Sequence, residues 1–96
     1  MFFLPFRLPI YRSPSSLRVH DYTQQVRGQH YFFSLAHNEA EPGEQFYMTA
    51  YGKGVKPGDR IQLKDNGHLR EYEIKAVDYY GNVPHLWTGL LVEVRE

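Results

Sequence analysis

Arg60-Ile61-Gln62-Leu63-Lys64-Asp65-Asn66-Gly67-His68-Leu69-Arg70-Glu71-Tyr72-Glu73-Ile74-Lys75-Ala76 is the stretch that decides the fold. Asn-Gly between two alternating segments favours a type I′ turn, whose twist matches that of the hairpin it closes. With Asn66 and Gly67 as the loop, Asp65 pairs with His68, Leu63 with Arg70 and Ile61 with Tyr72. Directly paired residues share a face. Ile61 and Tyr72 therefore lie side by side in an interior, Ile74 and Ala76 follow on the same side, and Glu71, Glu73 and Lys75 point to solvent. The turn and the alternation agree, and agreement between levels marks a sequence that specifies one structure.

Toward the amino terminus of this hairpin, residues 45–51 alternate Phe46, Met48 and Ala50 with Tyr47, Thr49 and Tyr51, a second strand with aromatics on both faces. Gly52-Lys53-Gly54-Val55-Lys56-Pro57-Gly58-Asp59 is a turn-dense connection to the hairpin. Tyr31, Phe33 and Leu35 form one face of a strand over 29–35, with Phe32 breaking the alternation, and the acidic 38–44 ending in Pro42-Gly43 is an exposed loop. Residues 17–26 carry a weak alternation of Leu17, Val19 and Tyr22, an edge strand with a short helix as the competing reading. Past the hairpin, 78–84 is a loop. In the last strand Leu90, Val92 and Val94 face inward and Glu93 and Arg95 outward.

The first sixteen residues contain Pro5, Pro9 and Pro14, so neither a helix nor a central strand runs through them. They form an extended arm whose apolar side chains lie across the rest of the molecule or insert into a neighbour. The expected organisation is an arm at 1–16 and one domain at 17–96. That domain is all-β, a small antiparallel barrel of five to six strands, closed or nearly closed, with a strand pattern similar to SH3-like and OB-like barrels. Those barrels host many unrelated functions, so the pattern implies no activity.

Eleven basic and 11 acidic residues give zero formal charge, so no basic excess exists to neutralise a phosphate backbone, and nucleic acid is disfavoured as a partner. With no cysteine there are no disulfides and no thiolate metal sites. The opening apolar stretch lacks a basic leader and is broken by two prolines, and no apolar run reaches the roughly 20 residues of a spanning helix. A cytoplasmic protein without a membrane span is the expectation.

No catalytic constellation is legible. His20, His30, His37, His68 and His85 are scattered without ligand spacing, so no metal is expected. Ser13, Ser15, Ser16 and Ser34 have no activating motif, and Glu71 with Glu73 form a solvated charge ladder. Gly52-Lys53-Gly54 lacks the spacing of a phosphate loop and serves better as a bend. Catalysis and a cofactor are therefore not expected.

Aromatic residues, at 16%, are the unusual number, and they nominate a partner-binding set: Tyr51, Lys53, Tyr79, Tyr80, His85 and Trp87, with Tyr47 nearby. Trp87 shares the parity of Glu93 and Arg95 and so stands on the outer face, either beneath the arm or against a partner. A bulge at Gly89 would turn it inward and remove it from the set. The segments 48–59, 77–80 and 86–91 resemble short uncharacterised cyanobacterial proteins over about the last half of the chain; the resemblance implies no activity, cofactor or binding residue. The expected function is a noncatalytic interaction module, a small adaptor or regulatory subunit that docks a protein partner or a second copy of itself through its aromatic loop and arm. The alternative is single-stranded nucleic-acid binding, in which Tyr79, Tyr80 and Trp87 stack bases while Arg60, Lys64 or Lys75 contacts phosphate.

Overall fold

The computed structural model describes residues 18–36 and 43–94. The whole of the expected arm at 1–16 and residues 38–42 of the acidic loop, together with Leu17, His37 and Arg95, lie outside them. Six strands follow one another, β1 (Val19–Asp21), β2 (Phe32–Ala36), β3 (Gln45–Tyr51), β4 (Arg60–Asp65), β5 (His68–Tyr79) and β6 (Leu86–Glu93), with no helix among the described residues.

β4 and β5 form the expected hairpin, with Ile61 opposite Tyr72, Leu63 opposite Arg70 and Asp65 opposite His68. Asn66 and Gly67 both take positive φ, 50° and 80°, the backbone that a type I′ turn requires. The strands assemble into a single sheet in the order β1-β4-β5-β6-β3-β2. Two features differ from an antiparallel barrel. β1 runs parallel to β4, so the sheet is mixed. The ladder is also open: β1 and β2 are its edges, and no pairing joins them among the described residues. β1 is only three residues long and its register comes from a distant strand, which a local alternation in 17–26 cannot reveal.

The sheet nonetheless curls around one core. Met48, Ile61, Ile74, Trp87 and Leu91 are wholly buried, and Phe33, Phe46 and Val77 pack against them. Tyr22, just past β1, and Tyr31, just before β2, meet edge to face with ring centres 6.2 Å apart, so the two edges approach each other at one end. Phe33 stacks on Phe46 at 5.0 Å, and Tyr72 stands edge-on to both. Such ring pairs contribute about 0.5–1.5 kcal/mol each beyond the area they bury.

The alternation departs from expectation in the second half of β5 and throughout β6. The β5–β6 ladder shifts register between Ile74 and Ala76, a bulge at Lys75. Before it Tyr72 and Ile74 point inward; after it Val77 does, and Ala76, expected inside, is exposed. In β6 the inward residues are Trp87, Gly89 and Leu91 rather than Leu90, Val92 and Val94. The 90–92 run is apolar throughout and satisfies either parity, so the side chain with the most surface to bury decides, and that is Trp87. Gly89 is no bulge. A Cβ there would lie 2.9 Å from Trp87 Cζ3 and 3.0 Å from the Ala76 carbonyl oxygen, so the glycine makes room for the indole.

Candidate interaction surface

The expected set of Tyr51, Lys53, Tyr79, Tyr80, His85 and Trp87 comes together at one end of the sheet, but its members do different things. The Tyr79 hydroxyl donates to the Gly52 carbonyl at 2.8 Å and accepts from the Val55 N–H at 2.9 Å, which closes the 52–55 turn. Gly52 N–H donates to the His85 carbonyl, tying that turn to the loop before β6. The Tyr22 hydroxyl donates to the Tyr51 carbonyl at 2.6 Å, and a Cβ on Gly52 would meet that hydroxyl at 2.6 Å. Tyr79 thus acts as a fastener, while Lys53 and His85 are exposed on the two loops it helps hold.

Trp87 is 0% exposed and edge-on to Tyr22 at 6.4 Å. Its buried Nε1 makes no hydrogen bond, although the Tyr22 hydroxyl is its polar neighbour. Burial pushes the Tyr22 hydroxyl pKa up, with the indole N–H opposing that shift. No partner reaches a side chain with no surface, so Trp87 leaves the candidate set. It leaves by a flip of the whole strand and not by the bulge at Gly89 that would have turned it inward.

The exposed aromatics gather on the other face, and strand register places them in rows. Ser34, Tyr47, Leu90 and Ala76 lie across β2, β3, β6 and β5; Phe32, Thr49, Thr88 and Asp78 form the next row. A third joins Tyr51, Leu86 and Tyr80, since Tyr51 pairs with Leu86 and Tyr80 N–H donates to the Leu86 carbonyl. Phe32, Tyr47, Tyr51 and Tyr80 are 64%, 49%, 58% and 47% exposed, so this is a broad aromatic face in contact with water. Across the three rows Asp78 is the single ionisable acid or base other than the tyrosines. A chain of hydroxyls runs through its middle: Thr49 Oγ1 is 2.9 Å from Thr88 Oγ1, which is 3.1 Å from the Tyr80 hydroxyl. A shallow depression between Tyr47, Ala76, Asp78 and Leu90 gives the face relief.

Sequence reasoning found Tyr51 and Tyr80 here and named Tyr47 as a neighbour. It missed Phe32, Leu86 and Leu90. The available signal was that Phe32 broke the alternation of 31–35, which is what an exposed aromatic in a half-buried strand does.

On the inner face, a second cleft opens where β2 stands away from the tip of the β4–β5 hairpin. Its floor is Phe33, Phe46 and Tyr72, and its rim is charged. The Arg27 guanidinium lies 4.9 Å from the centre of the Phe33 ring. Arg70 pairs with Glu93 at 2.9 Å and with Asp65 at 3.6 Å. Burial raises the Tyr72 hydroxyl pKa, and the Glu93 carboxylate adds to the rise.

Among the described residues no three His, Asp or Glu side chains gather as a metal site. His20 Nε2 instead lies 2.9 Å from Asp59 Oδ2, which also accepts from the Lys56 N–H at 3.1 Å. This joins β1 to the turn before β4. No helix among the described residues is long and apolar enough to cross a membrane. No protein-family model, curated protein or solved structure matches the chain.

Proposed function

We propose that the protein is a noncatalytic interaction module that docks a protein partner or a second copy of itself through the outer face of β2, β3, β6 and β5. One observation carries this reading: four exposed aromatics lie on three adjoining rows of this face in which Asp78 is the single charged side chain. Large exposed apolar patches on small proteins mark interaction sites, and charge is depleted at the centre of interfaces where Tyr and Phe are enriched. Tyr47 and Tyr51 are the anchors, because rigid aromatic rings supply contact area at low entropic cost. The hydroxyl row of Thr49, Thr88 and Tyr80 supplies hydrogen bonds for orientation.

A photo-activatable phenylalanine analogue at position 47 or 51, with the exposed position 64 on β4 as control, tests this in the cell. Adducts of defined mass at 47 and 51 and none at 64 are expected. A monomer by light scattering that gives no adduct at either tyrosine overturns the reading.

Single-stranded nucleic-acid binding has less to draw on. Trp87 has no free surface, the Tyr79 hydroxyl fastens a turn, Arg60 pairs with Glu71 at 2.7 Å, and Lys75 lies 3.6 Å from Glu73. Tyr80 and Lys64 remain to bind a base and a phosphate. A salt-dependent low-micromolar affinity for oligonucleotides would restore it.

A further inference from the structure

Asp78 is the single carboxylate in the three rows of the outer face, and the fold makes no use of it. Elsewhere Asp65 and Glu93 hold Arg70, Glu71 holds Arg60, Glu73 holds Lys75 and Asp59 lies against His20. The Asp78 carboxylate has no such partner among the described residues. It is exposed, and it stands inside β5 opposite Thr88, a position where aspartate is among the less favoured residues and a threonine or valine would pair better. The sheet itself gains nothing from a charge there.

The surroundings of Asp78 have shape. Tyr80 follows two residues later with the same parity, and its hydroxyl lies 3.1 Å from Thr88 Oγ1, on the cross-strand neighbour of Asp78. That contact holds the Tyr80 ring beside the carboxylate. Thr88 Oγ1 is tied in turn to Thr49 Oγ1 at 2.9 Å. Two shallow depressions flank Asp78 and share it and Thr88 as a common wall; Tyr79 and Tyr80 border one, Tyr47 and Leu90 the other. Each sets an exposed tyrosine next to the one carboxylate of the face.

Whatever covers this face must answer that charge. Taking a carboxylate out of water without a counter-charge is unfavourable, so an apolar partner without a cation loses at Asp78 part of what it gains on the rings. A second copy docked face to face fares no better. In a twofold interface one patch meets itself, and these three rows carry an acid and no base. A cation from a different chain is the complement. Among cations the guanidinium of arginine suits the site, because it lies flat on a tyrosine ring while its fork donates two hydrogen bonds to a carboxylate. An ammonium meets the carboxylate as a point charge and lacks the fork.

We propose that the outer face recognises an arginine side chain of a different protein, its guanidinium paired with Asp78 and stacked on the Tyr80 ring. The inference rests on the outer-face reading and narrows it, since the occupant is a basic partner and not a second copy. Tyr47 and Tyr51 supply apolar contact around the ion pair, and the exclusion of water by such a surround strengthens the pair it encloses.

The full chain with the photo-activatable analogue at position 47 tests both levels at once. Its adduct in the cell should fall at least tenfold with Asp78→Asn, which keeps the shape of the side chain and removes the charge, and should be lost with Asp78→Arg. Asp78 is exposed and without a partner among the described residues, so both variants should keep the denaturant midpoint of the parent chain. The cross-linked segment of the partner should contain an arginine, and changing that arginine to aspartate should restore the adduct of Asp78→Arg at least tenfold. A segment without arginine, or an adduct with a second copy of the chain, overturns the proposal. An adduct unchanged by Asp78→Asn overturns it and leaves the outer-face reading standing, even where that variant self-associates, which would make the carboxylate a device that keeps copies apart. No adduct at 47 or 51 in the otherwise unaltered chain removes both.

Discussion

The two faces of this sheet are built from the same kinds of residue and serve opposite ends. The inner face buries Trp87, Met48, Ile74 and Leu91 completely, and the outer face holds Tyr47, Tyr51, Phe32 and Tyr80 in water. Composition does not separate them, since β3 carries Phe46 and Met48 on one side and Tyr47 and Tyr51 on the other. Curvature does. The sheet curls around one face, and whatever apolar surface lies on the other is left uncovered.

The comparison is most exposed at Trp87. Trp87→Ala removes the largest side chain of the core and should destabilise by about 3–5 kcal/mol, read as a lowered denaturant midpoint by circular dichroism. A loss below 1 kcal/mol would mean that the indole is not a core residue. Gly89→Ala comes next, because a methyl group there meets Trp87 Cζ3 and the Ala76 carbonyl. Overpacking of this kind costs about 1–3 kcal/mol, and Trp87 emission should shift as the ring gives way.

A smaller effect sharpens the same contrast by pH. The Tyr22 and Tyr72 hydroxyls have raised pKa values because burial disfavours their phenolates. The folded chain therefore holds these protons more tightly than the unfolded one. The contribution is whole below the unfolded tyrosine value of about 10 and is lost as pH rises beyond it. The denaturant midpoint should fall above about pH 10, and Tyr22→Phe should flatten that fall. Smallest of all is Tyr47→Ser combined with Tyr51→Ser, which should change stability by less than about 0.5 kcal/mol per site, since both side chains project from the outer face. A large loss there would show that the outer face is packed against something in the isolated molecule.

Where local chemistry sufficed, the hairpin could be written from the residues alone. Asn66-Gly67 admits few turns, and the pairing of Ile61 with Tyr72 follows by counting. β6 shows the opposite case. Leu90, Leu91 and Val92 are apolar in succession, so either face could be the buried one, and the wrong parity looked as good as the right one. The candidate site inherits this directly: Tyr51 and Tyr80 were legible as exposed aromatics, whereas Trp87 was assigned to the wrong side of the sheet.

From the amino-acid sequence alone came the all-β class, the turn at Asn66-Gly67, the alternation of β3, the inward face of β4, and a neutral, aromatic-rich chain without disulfides. Tertiary structure alone decided the parallel placement of β1, the bulge at Lys75, the inward turn of Trp87 and the open edge at β2. The division has a physical cause. A tight turn and an alternating strand are set by neighbours a few residues apart. Which of two apolar faces is buried depends on the free energy of the whole sheet curling over one of them, and no local window contains that term.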